Sequence, residues 1–214
     1  MTIKTFVFNP FQVNTYVLYD DSAKCIIVDP AMDTTHEEDE ILRFISETNL
    51  TPEAIVNTHC HVDHILGCIF LKSKFSIPFY AHQLEKNNLA AGIEFGKFFG
   101  LTITSLPEID TYLDIENGFK FGNSNLQIFH VPGHSEGSIA LYSETGNFVI
   151  TGDALFRGSI GRTDLPGGSY HSLIQSITEK LLVLPGNTAV YPGHGPKSDI
   201  KTETDTNPFL NRRQ

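Results

Sequence analysis

Short apolar runs alternate with turn residues along the whole chain. NTYVLY at 14–19 and KCIIVDP at 24–30 are rich in β-branched and aromatic residues and read as an early pair of strands. A helix is predicted next. Thr35 and Glu38 have the spacing of a capping box, and Ile41, Leu42 and Ile45 form an apolar stripe. AIVNTH at 54–59 reads as a strand, ILGCIFLKSKF at 65–75 as a helix and PFYAH at 78–82 as a short strand. Residues 83–112 are the least regular. Within them GIEFGKFFG sets Phe95, Phe98 and Phe99 at helical spacing, which suits a helix packed on the core and equally a flap over a substrate.

The second half repeats the style. LQIFHVPGH at 126–134 is a strand ending in a turn, and SIALYS at 138–143 pairs with NFVITGD at 147–153. A helix is expected from about Ser169 to Leu182, and TAVYPGHG at 188–195 is a last strand ending at His194. No linker, low-complexity stretch or direct repeat interrupts the pattern. Strands mixed with helices predict layered α/β packing in a single domain over 1–214.

Composition narrows the classes. Hydrophobic residues make up 40% and charged residues 19%, a globular balance. The formal net charge of −10 repels phosphate backbones and argues against nucleic acid as a partner. No apolar run approaches the roughly 20 residues that span a bilayer, so no membrane partner is expected. The N-terminal stretch lacks the apolar centre of a signal peptide, which makes a cytoplasmic location the expectation. Cys25, Cys60 and Cys68 are an odd set, unsuited to a disulfide framework and consistent with reduced thiols.

The chemistry is concentrated in THCHVDH at 58–64. His59, His61, Asp63 and His64 are metal-ligand types crowded into one turn. Three further apolar runs end in a glycine followed by a ligand type: Gly133-His134, Gly152-Asp153 and Gly193-His194. Residues two apart on extended backbone share a face, so His59 and His61 can hold one ion together, with His134 as a third nitrogen. Asp63, His64 and His194 make a second set, and Asp153 can bridge the two. Paired divalent ions repel, so bridging anions are required.

These motifs, with VDP at 28–30, resemble the metallo-β-lactamase superfamily, and GDALFRGSIGRTDLPGGS at 152–169 with YPGHGP at 191–196 resembles its glyoxalase II group, in particular short bacterial hydroxyacylglutathione hydrolase-like members. The resemblance implies an αββα sandwich with the metal site at one edge of two sheets. Asp29 would be a structural acid that binds no metal. The implied cofactors are two divalent ions, zinc first, with iron or manganese as alternatives. The implied reaction is thioester hydrolysis, a metal-bridging hydroxide attacking the carbonyl while Asp63 binds metal and orients the attacking oxygen. The partner is then a small-molecule thioester, such as a glutathione conjugate. Arg162 matches a cationic position that meets a glutathione carboxylate, although Asp164 replaces the family's aromatic residue two positions on. A salt bridge between Arg162 and Asp164 is the competing structural role. Full-length glyoxalase II also carries a helical domain that contacts glutathione, and the tail after His194 is too short to replace it.

Two other functions fit part of the pattern. A mononuclear iron persulfide dioxygenase would use His59, His134 and Asp153, a two-histidine, one-carboxylate set. PGHGP at 192–196, where such enzymes tend to carry PAHD-like residues, favours the hydrolase. A metal-binding module without turnover is the third reading, disfavoured because every expected ligand position is filled. β-Lactamase and nuclease activities fit less well, the first because of GRTDLPGG and the second because of charge.

Overall fold

The computed structural model describes residues 1–211, and residues 212–214 at the end of the tail lie outside the described residues. The chain divides into two compact units, Met1–Leu113 with Lys120–Asn125, and Asp114–Phe119 with the chain from Leu126 onward.

In the first unit a mixed six-stranded sheet runs in chain order, β1 (Thr2–Phe8), β2 (Val13–Tyr19), β3 (Lys24–Val28), β4 (Thr51–Val56), β5 (Phe79–Ala81) and β6 (Thr111–Tyr112). β1 to β3 pair antiparallel, and β3 to β6 pair parallel. Parallel neighbours need crossovers. α1 (Thr35–Glu47), α2 (Cys68–Phe75) and α3 (Lys86–Phe98) supply them. Ile41 and Ile45 of α1 and Leu71 of α2 join a core with Ile27, Ile55 and Phe79 of the strands. The predicted β2–β3 pair is present in antiparallel register, Tyr16 opposite Val28. The capping box sits one residue earlier than predicted. Thr34 Oγ1 accepts from Glu37 N at 3.3 Å, and Glu37 Oε2 accepts from Thr34 N at 3.1 Å. TTHEE offers the motif in both registers, and Glu37 also accepts from Asn9 N, which decides between them.

The second sheet is also mixed, in the order β14 (Ser198–Asp199), β13 (Ala189–Pro192), β10 (Phe148–Gly152), β9 (Ile139–Ser143), β8 (Ser124–His130), β7 (Phe119–Phe121). A small hairpin, β11 (Leu155–Phe156) with β12 (Ser159–Ile160), stands apart. α4 (Tyr170–Ser176) runs on into a π-helical turn at Ile177–Leu181, and α5 (Ile200–Thr206) closes the described chain. The predicted helix from Ser169 is thus α4 with its N-cap at Ser169. Leu173, Ile177 and Leu181 pack with Val149 and Val190 in a separate core.

One feature of each sheet positions the chemistry. β3 and β4 are parallel and in register at Val28 and Val56, so Asp29 and the 57–64 turn leave the same end of that sheet. β10 and β13 are parallel, with Gly152 opposite Pro192, so Asp153 and His194 leave the same end of theirs. In open sheets with parallel strands, ligands bind beyond the carboxyl ends.

Candidate metal centre

Asp29 organises the first unit's candidate ligands. The residue is fully buried, in left-handed backbone with φ 49°, and its N–H reaches the carbonyl of Val56 at 3.3 Å. Its Oδ1 accepts from Thr58 N at 2.7 Å and its Oδ2 from Thr58 Oγ1 at 2.6 Å. Oδ2 also faces His64 Nδ1 at 3.1 Å. A carboxylate accepts only, so His64 carries its proton on Nδ1, and Nε2 is the nitrogen with a lone pair to offer a cation. The Thr58 hydroxyl spends its proton on Asp29 and therefore accepts from His59 Nδ1, 3.2 Å away. One buried acid fixes two imidazoles, the second through a hydroxyl.

The turn itself is clamped. Asn57 Nδ2 donates to the carbonyls of His59 at 3.2 Å and His64 at 2.8 Å. Glu85 Oε2, buried, accepts Cys60 N at 2.7 Å. Asn9 Nδ2 donates to the carbonyl of Asp63 at 3.0 Å. His59, His61 and His64 gather their rings, with His59 centred 4.8 Å from His61 and 4.2 Å from His64. The potential ligand atoms of Asp29, His59 and His64 lie within 4.8 Å of one another.

The second unit builds its set on Asp153. Its Oδ2 lies 3.6 Å from His134 Nε2 and 3.5 Å from His194 Nε2. Two donors each about 2.1 Å from one tetrahedral ion would sit about 3.4 Å apart. The observed separations match the edges of a coordination polyhedron, so these residues fit a metal. His134 Nδ1 donates to the carbonyl of Arg162 at 2.9 Å, so here too Nε2 is the nitrogen that could face a cation. Gly193 N donates to the carbonyl of Gly152 at 2.7 Å and ties the two strand ends together. Gly161 passes so close that a Cβ there would fall on the carbonyl oxygen of Asp153 and lie 3.1 Å from His134 Nδ1.

Arg162 makes the salt bridge with Asp164 that the sequence allows. Its Nε and a terminal nitrogen each donate to Asp164 at 2.8 Å in a forked, exposed pair. That hydrogen-bonded pairing holds the Asp164 carboxyl down at about 2. Two of the other histidines have local duties: His82 accepts from Leu84 N at 3.3 Å, and His130 Nε2 donates to the carbonyl of Glu136 at 2.8 Å. Sequence reasoning missed Thr58, Asn57, Glu85 and Asn9. Thr58 alone left a signal, standing directly before His59. The others reach the turn from a distance or through backbone groups that no spacing rule reveals.

Comparison with known proteins places this arrangement. The metallo-beta-lactamase superfamily profile matches residues 8–194. The chain belongs to that superfamily. Hydroxyacylglutathione hydrolase GloC of Haemophilus influenzae is 33% identical, with all of each chain covered. Among solved structures, the B3 metallo-β-lactamase BLEG-1 is 38% identical, with TM-score 0.88 over 98% of this chain and all of that one. TTHA1623, in a di-iron-bound form, is 34% identical, with TM-score 0.85 over 98% of this chain and all of that one. These neighbours give two mixed sheets with helices as the metallo-β-lactamase fold. The superfamily member is a metallo-hydrolase with His/Asp clusters of the metal-binding kind. Among the described residues no helix is long and apolar enough to cross a membrane.

Proposed function

We propose that the chain hydrolyses small-molecule thioesters, with glutathione conjugates as the leading class, and works as one catalytic domain. In this reading His59, His61 and His134 hold one divalent ion, Asp63, His64 and His194 hold a second, and Asp153 serves both. The observation that carries it is the orientation of His59, His64 and His134. Each has its Nδ1 proton committed to Thr58, Asp29 or the Arg162 carbonyl, which prepares Nε2 for a cation. Zinc is the first expectation, with iron as in TTHA1623 or manganese as alternatives.

When bound, the ions would supply an acidified water and a positive site for the thioester oxygen. The chain's own groups do the rest. Asp63, whose side chain keeps 19% of its surface exposed, directs the attacking oxygen, takes up its proton at the carboxylate and returns it to the thiolate released as the C–S bond breaks. Asn9 and Asn57 hold the turn that carries Asp63, so the acid is placed before substrate arrives. Arg162 meets a carboxylate of the thiol portion once it exchanges Asp164 for substrate. The likeness to GloC supports the glutathione class.

A second reading, β-lactam hydrolysis, is favoured by the likeness to BLEG-1. Turnover of S-lactoylglutathione and of a chromogenic cephalosporin by the metal-loaded chain separates the two. Thioester turnover that Asp63→Ala abolishes supports the proposal. Cephalosporin turnover without thioester turnover overturns it.

A further inference from the structure

An aromatic group stands on the flank of the first unit's metal turn. The Asn9 side chain that holds the Asp63 carbonyl also accepts from Phe11 N at 2.9 Å, which fixes the β1–β2 turn against the metal loop. The Phe11 ring meets Phe99 edge-on at 5.9 Å, and Phe99 meets Phe98 at 5.1 Å. Phe98 is 82% exposed and Phe99 37%.

Packing of α3 does not account for these rings. The helix buries Leu89, Gly92 and Gly96, and its glycines take Leu106 and Ile103 at close range. Phe98, two residues past Gly96, points away from that face. A large aromatic side chain in water gains nothing for folding, and several in contact mark a surface that receives something apolar.

Charge indicates which part of a thioester this is. Asn9 N is bonded to Glu37 at 2.7 Å, and Asp33 N to the same carboxylate at 2.8 Å, so the polar groups beside the Phe11 turn are acidic. Along α3 the exposed Lys86 and Lys97 outnumber Glu94, so the acidic side of the patch is the start of α1, where Glu37 and Glu38 stand beside the Phe11 turn. The thiol portions of biological thioesters carry carboxylates or phosphates, which the acids beside Phe11 repel. The acyl portion is neutral.

We infer that Phe11, Phe98 and Phe99 form a wall for an apolar, preferably aromatic, acyl group. This rests on the thioesterase reading and adds a substrate class to it. Three rings offer edge and face contacts to a fourth, whereas a lactoyl group is too small and polar to use them.

The test compares S-phenylacetylglutathione with S-lactoylglutathione in the wild-type chain and in a Phe98→Ala/Phe99→Ala double variant. The wild type should favour the phenylacetyl ester in kcat/KM, and the variant should lose about tenfold of that preference. An unchanged preference overturns the inference. Binding of S-(4-fluorophenacyl)glutathione, a ketone with no bond to hydrolyse, is read in parallel by fluorine NMR. Weaker binding by the variant supports the wall, and equal binding overturns it, even if the wild type hydrolyses neither ester and the thioesterase reading fails by itself. Gel filtration of both proteins adds one outcome: a wild-type dimer that the variant loses would assign the rings to contact between copies and overturn the inference.

Discussion

Asp29 Oδ2 and His64 Nδ1 lie 3.1 Å apart, and both side chains are wholly shielded from solvent. The pair lies at the centre of a network in which Thr58 spends both its donors on the same carboxylate. Asp29→Asn keeps the shape but replaces one acceptor oxygen with an amide donor, which must face Thr58 or His64. The proposed ligands His59 and His64 would lose their common orientation. Metal affinity should fall by about 10- to 100-fold, measured by competition with a chromophoric chelator. Retention of wild-type affinity would show that Asp29 serves folding alone.

Gly161 predicts a stability effect that the metal does not mask. A methyl group there meets the backbone of Asp153, so the strand end or the loop must move. Gly161→Ala should cost about 3 kcal/mol or more, as other backbone overpacking does. Thermal unfolding of the metal-free protein measures it, and a normal melting curve would mean the loop yields cheaply.

How far the sequence carries depends on the kind of signal. Strands with continuous β-branched runs, such as Ile26-Ile27-Val28 and Val149-Ile150, are plain in the sequence and present in the structure. β1 escapes the sequence pattern because its TIKTFVF run is half exposed and lacks a buried run of its own. α3 is ambiguous in sequence because two of its three buried positions, Gly92 and Gly96, are glycines, which leaves Leu89 to carry the apolar periodicity alone. The candidate ligands stood out through residue type and spacing. The groups that orient them did not, since Asn57 and Glu85 act on carbonyls and amides that every sequence shares.

Burial makes the thiols inert. It pushes Cys25 up to about 12 and raises Cys60 and Cys68 well above the ordinary range. The folded chain should therefore resist iodoacetamide at pH 8 and react at all three positions once unfolded. Rapid labelling of Cys60 in the folded protein would show that the metal turn opens.

The Arg162–Asp164 pair gives a pH prediction with a definite sign. Its hydrogen bonds to Arg162 hold the Asp164 carboxyl down at about 2, below its ordinary 3.8. The pairing is therefore present in full above the ordinary value and is lost as pH falls through about 2. NMR titration of Arg162→Ala should return Asp164 toward 3.8. Asp164→Asn frees the guanidinium and should lower KM for S-lactoylglutathione without a matching change in kcat. An unchanged KM would make Arg162 structural.

Metal content per chain, measured by plasma mass spectrometry on untagged protein purified without chelators, tests the central claim most directly. The account predicts about two ions of zinc, iron or manganese, as a two-metal site requires, and a loss of at least half in Asp153→Ala. A single iron that depends on His59, His134 and Asp153, and is indifferent to His64 and His194, would contradict it and point to oxygen chemistry.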